Sequence, residues 1–205
     1  ETINRCMTMR LDRFPKLSKE IIRAFSYVHE LKILPSMRSM QFAGDAILKN
    51  NLRQYNCSYT PVDSVEAFSE ILFILLCGTG LGYSVQHRHI EQLPRVQLPR
   101  QEGLFVVQDS IAGWSEAVDA LMKAYFYNRV RPVFDFTNVS PKGTYLVTTG
   151  TKAPGPEPLK YMLQEVEARL KKALGRKLRS IEIHAIICIE SDCVLSGGIR
   201  RSEWC

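Results

Sequence analysis

No two cysteines in this 205-residue chain are spaced as a CxxC pair, and Cys6, Cys57, Cys77, Cys188, Cys193 and Cys205 are scattered through a sequence too long for a disulfide-stapled secreted scaffold. His184, Cys188 and Cys193 lie close together but lack a second ligand pair, so buried thiols are favoured over a zinc site. Long hydrophobic runs are missing too. The longest, Ile71 to Cys77, falls far short of the roughly 20 residues that cross a bilayer, and no basic, then apolar, then small-residue secretion signal opens the chain. The expectation is a cytoplasmic protein with no membrane partner. An excess of one charge is scarce as well: the net charge of +6 is spread over Lys171-Lys172, Arg176-Lys177, Arg179 and Arg200-Arg201. Without a dense basic face interleaved with aromatics, phosphate-bearing small molecules are expected as partners, and direct nucleic-acid binding is not. No GxxxxGK[ST] occurs, which removes the P-loop.

What is present is a globular composition, 45% hydrophobic and 23% charged. Residues 16–32 place Ile21, Ile22, Phe25, Val28 and Leu31 on one helical face, with Ser18 as N-cap and Pro35 as the stop. An irregular stretch and a short helix to Asn50-Asn51 follow. Residues 55–62 have strand character, and Asp63 with Glu66 forms a capping box for a helix built on Phe68, Ile71, Leu72, Leu75 and Leu76. A strand is expected over 82–89 and a proline-punctuated surface connection over 91–100. Residues 110–127 form a helix, 132–139 a strand, and 141–158 a loop with a short extended piece at TYLV. Residues 157–174 are the clearest helix, with Leu159, Met162, Leu163, Val166 and Leu170 on one face and Gly175 beyond. The stretch 180–195 fits a strand by its isoleucines and a buried helix by its length. Alternation of strands and helices behind a helical N-terminal region indicates an α/β protein.

The turn Gly78-Thr79-Gly80-Leu81-Gly82 raises the question of phosphate binding. A dinucleotide fingerprint needs a strand before its glycines and a helix after them, and here that order is reversed. By itself the turn is a helix stop.

Six segments occur in one order: NCSYTPVDSVEAF, LLCGTGLGYSVQHRHIEQLP, VVQDSIAGW, VFDFTNVSPKG, TTGTKAPGPEPL and SGGIRRSE. Together they resemble ribonucleotide reductase, most nearly the adenosylcobalamin-dependent, monomeric class that reduces ribonucleoside triphosphates. The likeness runs from about Ile33 to Ser202 and corresponds to the N-terminal portion of the catalytic subunit.

The resemblance implies a ten-stranded α/β barrel. Residues 1–52 would form a helical region and 53–205 the first part of the barrel, with a helical insertion at about 91–131 or else a general feature of this branch. It implies that Cys57 is one of the two thiols that deliver electrons to the ribose. Ser39, Asn56, Thr79 and Gly80 would lie at the substrate, with the glycines letting backbone approach it and turn amides free to meet anions. Asp63 and Ser64 would meet the sugar of a deoxynucleoside triphosphate effector, a role compatible with Asp63 as N-cap. Lys142 falls in the first specificity loop; Gly197, Gly198, Ile199, Arg200 and Arg201 fall in the second, which reads the substrate base. Where the family carries Arg-Pro this chain has Ser140-Pro141, which removes one arginine contact.

The radical-bearing cysteine, the second reducing cysteine and a C-terminal pair serviced by a thioredoxin-type reductant belong after the second loop in the family. The chain starts at Glu1 without Met and stops at Trp204-Cys205, so the expectation is a fragment completed by a C-terminal reductase polypeptide or segment. Either the gene is split, or an intein interrupts it with Cys205 as its first residue. An alternative from another class is a non-catalytic deoxynucleotide-binding regulatory module derived from a reductase.

Overall fold

The computed structural model describes residues 1–146 and 151–196. Two units follow one another, Glu1–Asn56 and Cys57–Cys205.

The N-terminal unit is helical. α1 (Thr2–Arg13) and α2 (Ser18–His29) meet across a small core of Cys6, Phe25, Val28 and Ala43. α3 (Met37–Phe42) and α4 (Asp45–Lys49) close it. Arg5 on α1 donates to the carbonyls of Met40 and Gln41 at 3.2 Å each, meeting acceptors that the end of a short helix leaves open. α1 was not anticipated, because only Cys6 of its residues is buried and its apolar stripe is thin. Ser18 is not an N-cap: the turn Pro15–Leu17 precedes α2, and the Ser18 hydroxyl donates back to the Pro15 carbonyl. α2 ends at His29, before Pro35, where Leu31 takes a positive φ of 57°.

The larger unit is α/β. β1 (Cys57–Pro61), α5 (Glu66–Leu76) and β2 (Gly80–Ser84) form a first parallel βαβ unit, and a helical turn α6 (His87–Ile90) follows it. β3 (Glu102–Val106), α7 (Ile111–Phe126) and β4 (Arg131–Asp135) form a second. β5 (Tyr145–Leu146) and β6 (Thr151–Lys152) make a small antiparallel ladder, and α8 (Glu157–Lys172) and α9 (Ser180–Ser196) complete the described chain. The core gathers α5, α7, α8 and α9 around Phe68, Ile71, Leu72, Leu121, Met122, Leu159, Met162 and Ile183, each at most 1% exposed. Burying side chains of this size contributes about 1.5–3 kcal/mol each.

Three expectations are corrected here. The Asp63–Glu66 capping box does not form: α5 begins at Glu66 behind Val65 with no side-chain cap, and the Ser64 carbonyl accepts from Ala67 instead. The second strand covers residues 80–84 rather than 82–89, because pairing with β1 rather than alternation of polarity sets its limits. β3, between the connection read over 91–100 and the helix read from 110, was not expected as a strand; its pattern GLFV gains a strand only by pairing with β4. The ambiguity at 180–195 resolves to α9. Glu182 in its first turn accepts from the Arg179 amide at 2.9 Å and grips Arg176 with both oxygens, so the start of the helix is held by charge.

Candidate functional site

β1 and β2 run parallel with Cys57 opposite Gly80, Tyr59 opposite Gly82 and Pro61 opposite Ser84. Side chains alternate along a strand, so Cys57 and Tyr59 share one face, and the strand beside them adds only the two glycines there. Ser58, Thr60, Leu81 and Tyr83 share the other face, with Leu81 buried in the core beneath α5. Cys57 is exposed, and Tyr59 is 64% exposed. The glycine spacing of Gly80-Leu81-Gly82 is therefore that of a strand face: every second position is empty next to a thiol, and the one between them anchors the sheet.

The turn ahead of β2 is a Schellman helix stop. Gly78 has a φ of 79°; its amide donates to the Leu75 carbonyl at 2.8 Å, and the Thr79 amide donates to the Ile74 carbonyl at 3.3 Å. Both amides are thus taken up by the end of α5, and the carbonyl end of a helix dipole repels anions rather than attracting them. Thr79 is fully buried and Gly80 half-buried at the start of β2. The turn leads into Gly80 in register with Cys57, and its Gly78 and Thr79 amides are spent on the helix end rather than offered to a phosphate.

At the opposite end of the same strands, Asp63 and Ser64 follow β1, and both are half-buried. The Val62 amide donates to the Ser84 carbonyl at 2.9 Å, and the Ser84 hydroxyl lies 2.9 Å from His89 Nδ1. From Cys57 to Pro61 the strand covers about 13 Å at roughly 3.3 Å per residue, and Asp63 lies two residues beyond its end. One strand pair therefore presents two separate ends, a thiol at its start and an acid beyond its finish.

The remaining candidate residues are dispersed. Asn56 is exposed and directly precedes the strand. Ser39 belongs to the N-terminal unit, where it is buried in α3 with its amide 3.4 Å from the Ser36 hydroxyl. Lys142 is exposed at the base of the β5–β6 hairpin, where the Gly143 amide donates to the Ala153 carbonyl at 2.9 Å. Gly197, Gly198, Ile199, Arg200, Arg201 and Cys205 lie outside the described residues.

Cys188 and Cys193 are poor redox candidates. Burial pushes the Cys193 thiol up to about 12, reinforced by Glu190, and burial and Asp192 raise that of Cys188, so neither forms thiolate readily. Among the described residues no group of three His, Cys, Asp or Glu side chains is placed to hold a metal ion. His184 Nδ1 is instead 2.6 Å from the Tyr83 hydroxyl, itself pushed up to about 12 by burial and by the nearby Cys188 and Glu190. Glu190 was not picked out by sequence reasoning, which weighed only the isoleucines of 180–195; it is fully buried.

No family model matches the chain. A Dictyostelium discoideum protein named "Probable adenosylcobalamin-dependent ribonucleoside-triphosphate reductase" is 26% identical over 211 residues, covering 91% of this chain and 28% of its own. A Euglena gracilis adenosylcobalamin-dependent ribonucleoside-triphosphate reductase is 25% identical, covering 87% of this chain and 26% of its own. The Levilactobacillus brevis protein of the same name is 24% identical over 91% of this chain and 33% of its own. The crystal structure of a B12-dependent (class II) ribonucleotide reductase superposes with a TM-score of 0.83 at 20% identity, over 96% of this chain and 36% of that one. The chain spans about a quarter to a third of the length of these proteins. Over most of its length, therefore, this chain is homologous to the adenosylcobalamin-dependent ribonucleoside-triphosphate reductases and has the α/β fold of the matching part of a class II ribonucleotide reductase.

Proposed function

We propose that this chain is the N-terminal part of a ribonucleotide reductase that converts ribonucleoside triphosphates to deoxyribonucleotides, with Cys57 as one of its two reducing thiols. The observation that carries the reading is Cys57 itself: an exposed thiol at the start of a strand, in register with Gly80, with no side chain from the neighbouring strand beside it. In such a reaction a thiyl radical removes the ribose 3′-hydrogen, the 2′-hydroxyl departs as water, and two thiols supply two electrons and two protons as they join in a disulfide. The second thiol, the radical-bearing cysteine and the strands that complete a ten-stranded barrel belong to a C-terminal polypeptide or segment. A thioredoxin-type reductant would return that disulfide to two thiols, becoming a disulfide itself.

Asn56, Gly80, Thr79 and Ser39 are assigned to the substrate side, Thr79 by shaping the wall from within the core. Asp63, Ser64 and Lys142 are assigned to a deoxynucleoside triphosphate effector, with Gly197, Gly198, Ile199, Arg200 and Arg201 reading the base between the two. The placement of Cys57 at the start of β1 and of Asp63 two residues beyond its end supports distinct catalytic and effector positions. Adenosylcobalamin, which the relatives' names carry, would supply the radical. Cofactor binding is assigned mainly to the C-terminal polypeptide or segment.

An exposed thiol favours the catalytic reading over a purely regulatory module, which would have no use for it. The test is reduction of a ribonucleoside triphosphate by this chain together with its C-terminal complement, with and without Cys57→Ser. Turnover lost in the serine variant is expected, and turnover retained in full would remove Cys57 from the reaction.

A further inference from the structure

Glu190 sits in α9 with no exposed surface, and neither carboxylate oxygen has a hydrogen-bond partner. Around it α9 buries Ile183, Ile186, Ile187, Cys193 and Val194 while packing on α5 and α8. A carboxylate so placed cannot remain charged without water or a cation, whereas a carboxylic acid can. The first turns of α9 carry polar ties toward β2 and the residue after it: His184 to the Tyr83 hydroxyl, and the Ser180 hydroxyl to the Val85 carbonyl at 2.9 Å. The half that holds Glu190 relies on apolar contact.

We propose that Glu190 makes the docking of the C-terminal half of α9 conditional on its proton: the helix stays seated while the carboxyl is neutral and opens to water when it ionises. The groups around it do not counter this. Tyr83 on β2 and Cys188 and Cys193 on α9 are themselves kept in their neutral forms. α8 brings Arg169, but that guanidinium is 2.8 Å from Glu165. α5 turns Phe68, Ile71, Leu72 and Leu75 inward, and its Glu66 faces Lys123 instead. Burial raises the proton affinity of the carboxyl. Ser196, the last residue of α9, runs straight into Gly197–Ser202. An effect of this docking on base reading by Gly197, Gly198, Ile199, Arg200 and Arg201 rests on the function proposed above, while the docking of α9 does not.

The test is amide hydrogen exchange of residues 180–196 in the full chain, without nucleotide, from pH 5 to pH 8. Rates are divided by the intrinsic rate at each pH and referred to α8. In the wild type, opening of α9 should grow by up to tenfold per pH unit until the carboxyl titrates in place. In Glu190→Gln the normalised opening should stay flat. Glu190→Met, of similar volume and without a titrating group, serves if the glutamine variant does not fold. An equal pH response in wild type and variants overturns the proposal, as does a carboxyl-carbon NMR signal for an ionised Glu190 at pH 6 while α9 stays protected. Conditional exchange with no pH dependence of deoxynucleotide affinity would leave the α9 inference standing and count against the role given to Gly197–Ser202.

Discussion

Glu167 is the joint between both halves of the larger unit's second βαβ element and α8, and Glu167→Gln probes it. Its Oε1 accepts from the Tyr125 hydroxyl on α7 at 2.7 Å and from Arg131 Nε on β4 at 2.5 Å, and its Oε2 accepts from Arg131 Nη2 at 3.0 Å. Arg131 also reaches Glu102 on β3, and Lys171 stands 3.4 Å from Glu167. Burial pushes the Glu167 carboxyl up, but hydrogen bonds from Arg131 and Tyr125 and the charges of Arg131 and Lys171 outweigh it and hold the group at about 2. A fall of that size from 4.5 corresponds to about 3 kcal/mol as a ceiling. The Glu167 side chain is 15% exposed and that of Arg131 29%, so screening lowers the expected loss to about 2 kcal/mol, or about 4–8 °C in Tm. Because the folded-state pKa is depressed, this stability is present above about 4.5 and is lost as pH falls toward 2. Urea unfolding of wild type and variant at several pH values should therefore show a gap that is widest near neutrality and closes in acid. An unchanged gap at pH 3 would mean that shape rather than charge is at stake, and no gap at pH 7 would refute the reasoning altogether.

Gly78→Ala forces an L-residue into the left-handed region that ends α5, and thermal unfolding should report a loss of about 1–2 kcal/mol. Ser110→Ala removes the hydroxyl that accepts from the Gly113 amide at 2.9 Å at the start of α7, with an expected loss of about 1 kcal/mol in urea titration. Glu190→Met removes a buried carboxyl that lacks a partner and should stabilise the chain by about 1–3 kcal/mol at pH 8. The raised pKa of Glu190 places that gain above the unfolded carboxyl range, so it shrinks below about pH 4.5. Cys57→Ser, at an exposed position, should leave stability within about 0.5 kcal/mol while affecting turnover, so a folding defect would contradict its placement.

Much of the architecture was legible from local pattern. The apolar faces of α5, α7 and α8 are periodic at helical spacing, and each is bounded by a local signal: Gly78 after α5, Gly175 beyond α8, and Ser110 ahead of α7. The order of motifs, with Cys57 in a strand and glycines after a helix, was enough to point to the reductase family, because such motifs record chemistry at fixed positions. What local pattern missed depends on pairing. β3 is a strand only because β4 lies beside it, and Asp63 fails to cap because α5 begins three residues later.

The sequence by itself determined that the stretches of α2, α5, α7 and α8 are helical and that the protein is α/β, and its motif order singled out Cys57. Only the tertiary structure decided that Gly80 and Gly82 lie in register with Cys57 and Tyr59, and that the Gly78 and Thr79 amides close a helix instead of meeting an anion. It alone revealed Glu190 as buried. The physical reason is common to all three. Periodicity reports which residues avoid water, whereas register, hydrogen-bond partners and the burial of a single charge are set by which distant segment packs alongside.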